Sequence, residues 1–401
     1  MNGFRQVLSR GIPWLLVLLA FVLPLSTSLV SVITVVLLVC WSLEGRFQEK
    51  WNEVAANPLC LAVFLYVGVL VLGLVWSENV GEGVAVIRKH WKIMVLPVLL
   101  TAVRWDWRHR TVGAFIAGVS VVMVLNLLDR AQVFHALGLE TFSQTTLLTN
   151  HIIYTPMLAF AAYLVAHTVL WNKELEYGRW WLLALGFLMS CTVFLTIGRM
   201  GQLAFFVLLA LLMWQYFHRN RGRAMLISLP AFLLIFTAAY TFSPQFQSRT
   251  DDARHEIETL SDNPETSVGL RLTWWQNAWV VVRQSPWFGV GTGDYTAAYT
   301  AVHQERTPHV SIHEGNPHNQ YLYTAIRLGM LGVVSLLAMF LVQLFWGNRS
   351  NDGWHRIRIA FPLFFLTIML TDSYLVSHGS GFLFSLFCAV LSKKTPVDQG
   401  C

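Results

Sequence analysis

RWWLLALGFLMSCTVFLTIGRMGQLAFFVLLALLMWQYF, residues Arg179–Phe217, decides the fold class. It reads as two apolar runs, Trp180–Thr196 and Gln202–Phe217, with one charged side chain, Arg199, between them. Each run approaches the roughly 17–25 residues that carry a helix across a bilayer. An arginine at that depth costs at least ~2.5 kcal/mol, so Arg199 is expected to face a cavity or a partner. The plainer alternative is an interfacial arginine that snorkels to the headgroups. Gly198 and Gly201 flank it and allow a tight turn that brings backbone amides close to a ligand, which makes both glycines candidate substrate-binding positions.

The same pattern extends in both directions. Further apolar segments run over Ile12–Leu25, Thr27–Leu43, Pro58–Trp76, Val84–Val103, Val112–Asp129 and Ile152–Trp171. After the quoted pair come Ala224–Phe242, Gln320–Trp346, Ile357–Thr371 and Phe382–Leu391. The expectation is an all-α polytopic membrane protein of about twelve transmembrane helices. Composition agrees: 55% of the 401 residues are hydrophobic and only 12% are charged, about half the charge of a soluble domain. Many of the 17 Trp sit at the ends of apolar runs, where aromatic belts lie. The N-terminal Met1–Arg10 and the apolar run behind it lack a small-residue cleavage site and read as an uncleaved first span.

Basic residues set the expected orientation. Short connections hold Arg104, Arg108 and Arg110, or Arg219, Arg221 and Arg223, and placing these inside puts both termini in the cytoplasm. The net charge of +6 is spread over such connections, with no basic run or RNA-reading motif, so no nucleic-acid partner is expected. The five cysteines have neither zinc nor disulfide spacing. One connection breaks the pattern. Residues 243–317 are long and of mixed polarity and fall on the outer face, dividing the chain into helices 1–9 (1–242), a large periplasmic loop (243–317) and helices 10–12 with a short tail (318–401). The next longest outer connection is Arg130–His151.

Within that loop, VGLRLTWWQNAWVVVRQ places Leu270, Trp274, Ala278 and Val281 at helical spacing, and likewise Leu272, Trp275, Trp279 and Val282. A helix with two apolar faces is expected to lie on or in the membrane interface, with Arg271 at its start. GVGTGDY after it follows no strand of a βαβ unit and reads as a turn-rich linker rather than a dinucleotide loop. The sharpest feature is HEGNPHNQYLYTAIRLGMLG. Asn316 is expected to cap a helix starting at Pro317, putting His318 in its first turn. There the helix end attracts anions and favours a neutral imidazole able to accept a proton. His309, His313 and His318 cluster in sequence, but HEGNPH lacks the zincin spacing and Pro317 interrupts any common helix, so no metal is expected. Asp251 and Asp252 are the only paired acids on the outer side.

These residues resemble those of the bacterial O-antigen ligase family, within a wider group of GT-C-like membrane glycosyltransferases that includes the polymerases. TIGRMG around Arg199 is similar to the family's Thr-x-x-Arg-Gly-type motif, in a Gly-Arg-x-Gly variant. SVGLRLTWWQNAW with the following SPWFGVG is similar to its second arginine motif. His318–Asn319, nine residues, then Gly329 and Gly332 match its histidine–asparagine–glycine signature.

The resemblance implies transfer of a glycan from undecaprenyl pyrophosphate to the lipid A–core oligosaccharide, at the periplasmic face of the inner membrane. No metal and no cofactor are implied. Arg199 and Arg271 would neutralise the pyrophosphate and His318 would deprotonate the acceptor, with Asn319 and Arg88 as further substrate contacts. An O-antigen polymerase, a protein O-oligosaccharyltransferase and a small-anion transporter are the alternatives. The single large loop favours the ligase over the polymerase.

Overall fold

Ser26 and Asn57 show how this chain starts its helices. The Ser26 hydroxyl accepts from the Leu29 amide after the PLSTS turn and separates α1 (Asn2–Val22) from α2 (Thr27–Glu44). The Asn57 side chain accepts from the amides of Leu59 and Cys60, with Pro58 in the first position, so α4 (Pro58–Leu72) leaves α3 (Phe47–Ala55) at a bend of 84°. The structure is a computed structural model that describes residues 2–133, 150–172, 178–259, 264–312, 316–347 and 352–393. The connection expected over Arg130–His151 lies largely outside these residues, as does His313 of the histidine cluster. Every regular element among them is a helix.

The chain continues through α5 (Val80–Lys89), α6 (Trp91–Met94), α7 (Leu96–Ala102) and α8 (Arg108–Arg130). Then come α9 (His151–Trp171), α10 (Arg179–Leu195), α11 (Arg199–Tyr216) and α12 (Arg221–Phe242). The expected loop contains α13 (Pro244–Glu258), α14 (Ser267–Gln284) and α15 (Tyr295–Arg306). α16 (Gln320–Gly347), α17 (His355–Ile368) and α18 (His378–Ser392) follow.

Among the described residues, seven helices are long and apolar enough to cross a membrane, eight if the bent α3–α4 pair is one span. The expected count of about twelve therefore divides. Helical residues do occupy all twelve segments, but α10 and α18 are shorter apolar helices, α17 has only 14 residues, and Val84–Val103 is broken into α5, α6 and α7. The break has a local cause. Pro97 has no amide to donate, and the buried Lys92 ammonium bonds the Lys89 carbonyl, diverting it from the ladder.

Burial sorts the helices. α9 lies at the centre, with buried residues running from Tyr154 to Val169, whereas α12 buries only Ala224 and Ala239 and exposes Leu226, Leu229, Leu233 and Leu234. Water would not tolerate an apolar helix exposed on nearly every side; lipid does. The chain is a multi-pass membrane protein.

The helix expected to lie on or in the membrane interface packs one face against the protein. Trp274, Ala278 and Val281 of α14 form a separate core with Tyr295, Tyr299 and Val302 of α15 and Ile326 of α16. Each large side chain buried there contributes about 1.5–3 kcal/mol. Trp279, Trp287 and Phe288 remain exposed.

α16 is interrupted at Gly329, where φ is +59°. A side chain there would collide with the backbone of Trp287 and Phe288. The SPWFGVG segment fills the interruption: Val290 and Gly291 donate to the carbonyls of Ile326 and Arg327, and Met330 and Leu331 donate to those of Pro286 and Trp287. A broken helix at membrane depth needs such partners for its freed backbone groups. The GVGTGDY linker is thus a docked segment. Asp294 accepts from the amides of Glu78 and Asn79, and Thr292 bonds the Leu70 carbonyl.

Candidate active site

Arg199 begins α11, with Gly198 as its cap. The turn before it is closed by Gln202, whose side-chain amide donates to the Thr196 carbonyl at 3.0 Å. Neither glycine has room for a side chain. A Cβ at Gly198 would lie 2.5 Å from Thr155 Oγ1, and one at Gly201 would lie 2.2 Å from Thr155 Cγ2. Both residues let α11 press against α9, which is a packing reason for the Gly-Arg-x-Gly pattern.

A cavity of about 340 Å³ opens at this junction. Arg199, Arg271 from the first turns of α14 and Arg249 from α13 all line it, with Gly198, Gly201 and His151. Arg199 Nη2 stands 3.4 Å from Glu256 Oε1, while its Nε is buried without a partner among the described residues. Glu256 Oε2 accepts from the Val268 amide at 2.7 Å, tying α13 to the start of α14. Arg271 has no ion pair among the described residues, and Arg249 has only Asp252 at 4.0 Å. Cations thus outnumber anions around the space, as an anion site requires.

His318 stands beside this cavity. Trp275, which lines it, donates to the Pro317 carbonyl at 2.9 Å. Thr371 and Tyr374, also lining it, bracket Asp372, whose Oδ1 accepts from His318 Nδ1 at 3.2 Å. Trp274 stacks on the imidazole, with ring centres 5.4 Å apart and planes at 27°. Burial opposes ionisation of Asp372, but the bond and charge of His318, the Ser373 amide and the Asn316 side chain outweigh it and hold its carboxyl below the usual carboxylate range. An ionised carboxylate only accepts, so the hydrogen of this bond sits on Nδ1, and a neutral imidazole held this way would carry its lone pair on Nε2.

His318 is not in the helix, contrary to expectation. α16 begins at Gln320, and its cap is Asn319, whose Oδ1 accepts from the Tyr321 and Leu322 amides at 3.0 and 3.1 Å. Asn316 Oδ1 instead accepts from the His318 amide and from the Ser373 hydroxyl. His318 takes a left-handed backbone, φ +49°, a strain of order 1–3 kcal/mol for a non-glycine. The asparagine bond, the tryptophan stack and the carboxylate together hold it there.

Residues 184–337 match the family model described as O-Antigen ligase. The chain carries an O-antigen ligase family domain. This family comprises membrane glycosyltransferase-like enzymes, ligases and polymerases. An uncharacterized protein of Haemophilus influenzae is 26% identical over 185 residues, which is 42% of this chain and 45% of that protein. The match therefore spans less than half of that relative's length.

The O-antigen ligase segment contains Arg199, Arg249, Arg271 and His318 and ends before Asp372. Sequence reasoning missed Asp372 and Arg249. Asp372 had a signal: it is the single acid at the end of the apolar run FPLFFLTIMLT, where a charge is expensive and needs a purpose. Arg249 had none, because it sits among the mixed charges of QSRTDDARHE. Arg88 is not brought to the cavity; it is exposed at the end of α5. Asn319 faces its own helix and the Leu370 carbonyl rather than the cavity. Among the described residues, no group of three or more His, Cys, Asp or Glu side chains is arranged to hold a metal ion.

Proposed function

We propose that this protein is an O-antigen ligase, transferring the glycan of undecaprenyl pyrophosphate to the lipid A–core oligosaccharide at the periplasmic face of the inner membrane. The observation that carries the reading is the convergence of Arg199 and Arg271 on one cavity with the His318–Asp372 pair at its edge. The chemistry follows from those groups. The diphosphate of the donor lies against the guanidinium groups, which form charge-assisted bonds that strengthen as negative charge develops on the leaving oxygen. His318 Nε2 takes the proton of the acceptor hydroxyl as its oxygen attacks the anomeric carbon. The carbon–oxygen bond to phosphorus breaks, and the lipid diphosphate leaves with the bonding pair. Attack from the face opposite the leaving group inverts the anomeric centre. Asp372 fixes the tautomer and stabilises the imidazolium that forms.

In this reading the guanidinium groups provide the charge neutralisation, with no metal in the step. Residues 243–317 form the periplasmic part, with both termini cytoplasmic. Trp279, Trp287 and Phe288, exposed near the end of α14, are suited to the headgroup region. The lipid donor explains why such a site belongs beside apolar helices.

The test is lipopolysaccharide ladder formation in a host lacking its own ligase but supplied with the native glycan. Wild type is expected to restore the ladder, and His318→Ala at equal membrane abundance is expected to leave core-only lipopolysaccharide. No ladder from wild type, with longer lipid-linked glycans accumulating instead, would move the assignment to the polymerase.

A further inference from the structure

α13 presents one stripe to the protein interior. Phe246, Arg249, Ala253 and Glu256 recur at helical spacing; Phe246 and Glu256 are buried, and Arg249 and Ala253 line the cavity. On its outward face Arg254 is matched by Glu258 at 2.8 Å and Asp251 by the Tyr240 hydroxyl at 2.7 Å, while Arg249 has Asp252 at 4.0 Å. Arg249 is the one cation on the inward stripe. Ala253, one turn on, leaves space in front of it. Arg199 on α11 already shares Glu256, and Glu256 also bonds the Val268 amide, so this one acid holds α11, α13 and α14 together at the cavity wall.

We propose that Arg249 is a third donor-binding arginine, and that it distinguishes a lipid diphosphate from a lipid monophosphate. This rests on the reading of the cavity as the donor site. Two forked guanidinium groups suffice to hold one phosphate, so Arg199 and Arg271 alone would hold either lipid. A second phosphorus centre adds acceptor oxygens and negative charge that a third guanidinium on a different wall can meet. In that reading the transfer consumes a diphosphate donor, and recognition of its second phosphate would exclude a lipid monophosphate.

The experiment uses the full-length protein in detergent, with farnesyl diphosphate and farnesyl monophosphate as probes. Wild type is expected to bind the diphosphate about tenfold or more tighter, the worth of one charge-assisted contact. Arg249→Gln should bind the monophosphate as wild type does and lose that preference. Arg249→Lys should recover part of it, and Arg254→Gln, on the outward face of the same helix, should keep all of it. In transfer assays Arg249→Gln should raise the donor KM more than it lowers kcat. A wild-type preference retained by Arg249→Gln overturns the inference and leaves the donor site intact. Equal wild-type binding of both probes, abolished by Arg271→Gln, likewise overturns it and leaves the cavity an anion site. Binding of neither probe by wild type removes the donor-site reading itself.

Discussion

Arginines gather at two places in this fold, and the two differ in what answers their charge. At one, Arg108 and Arg358 converge on Asp352. Arg358 grips it with both terminal nitrogens at 2.6 Å, Arg108 adds a bond at 2.9 Å, and Arg358 Nε donates to the Leu391 carbonyl. All three side chains are almost fully buried, and the Arg108 guanidinium lies over the Trp354 ring. At the other, Arg199, Arg249 and Arg271 line an open cavity, where Arg199 has a long contact with the shared acid Glu256 and Arg271 has no ion pair among the described residues. The first arrangement spends its guanidinium bonds on protein groups and clamps the ends of α8, α17 and α18. The second keeps them for something absent from the chain itself. An arginine's chemistry is the same in both; the ratio of anions to cations decides whether it is a fastener or a site.

This contrast breaks if the two clusters respond alike to substitution. The largest effect is expected in the cavity: Arg271→Gln should lower transfer about 10²–10³-fold while the melting temperature of the purified protein moves little. Next, Asp372→Asn should lower transfer about 10²-fold, because His318 loses the carboxylate that sets its tautomer and stabilises the imidazolium. Asp352→Ala should act in the opposite sense. It removes the carboxylate that two buried guanidinium groups share, costing about 3–5 kcal/mol, and is expected to reduce folded protein while sparing turnover per folded molecule.

Acid titration sharpens the same point. Burial raises the Asp352 carboxyl, but Arg358 and Arg108 outweigh it and push it down to about 2. A depressed folded value means that its contribution is complete above the unfolded value of roughly 3.9 and is lost as pH falls towards 2. Thermal stability should drop across that window, and Asp352→Asn should flatten the drop. The smallest effects are expected from Arg88→Gln and from adding EDTA to wild type, each changing transfer by less than about twofold if the guanidinium groups neutralise the donor without a metal.

Much of this architecture was legible in the sequence because lipid imposes a simple code of apolar length. Arg199, Arg271 and His318 stood out as polar groups in costly or capped positions, and the structure places the two arginines on one cavity with His318 at its edge. Three features were hidden. Asp372 meets His318 only through the return of α17, 54 residues along the chain, and sequence spacing carries no such pairing. The start of α16 depended on which of two asparagines accepts the helix amides; both have the required side chain, and the left-handed turn at His318 decided for Asn319. The spacing from His318 to Gly329 was visible as a pattern, but its reason, the docking of SPWFGVG into a broken helix, is a tertiary contact. Helix length alone does not reach the count of about twelve, because α10 and α18 are apolar but shorter than a full membrane crossing.

The most direct measurement is transfer by the purified full-length protein of a labelled glycan from its polyprenyl diphosphate to lipid A–core, with the anomeric configuration of the new linkage read by NMR. Wild type should transfer with inversion, and His318→Ala should bind the donor but transfer at least about 10²-fold more slowly. Retention of configuration, or a wild-type rate from His318→Ala, would contradict direct attack by an acceptor deprotonated at His318.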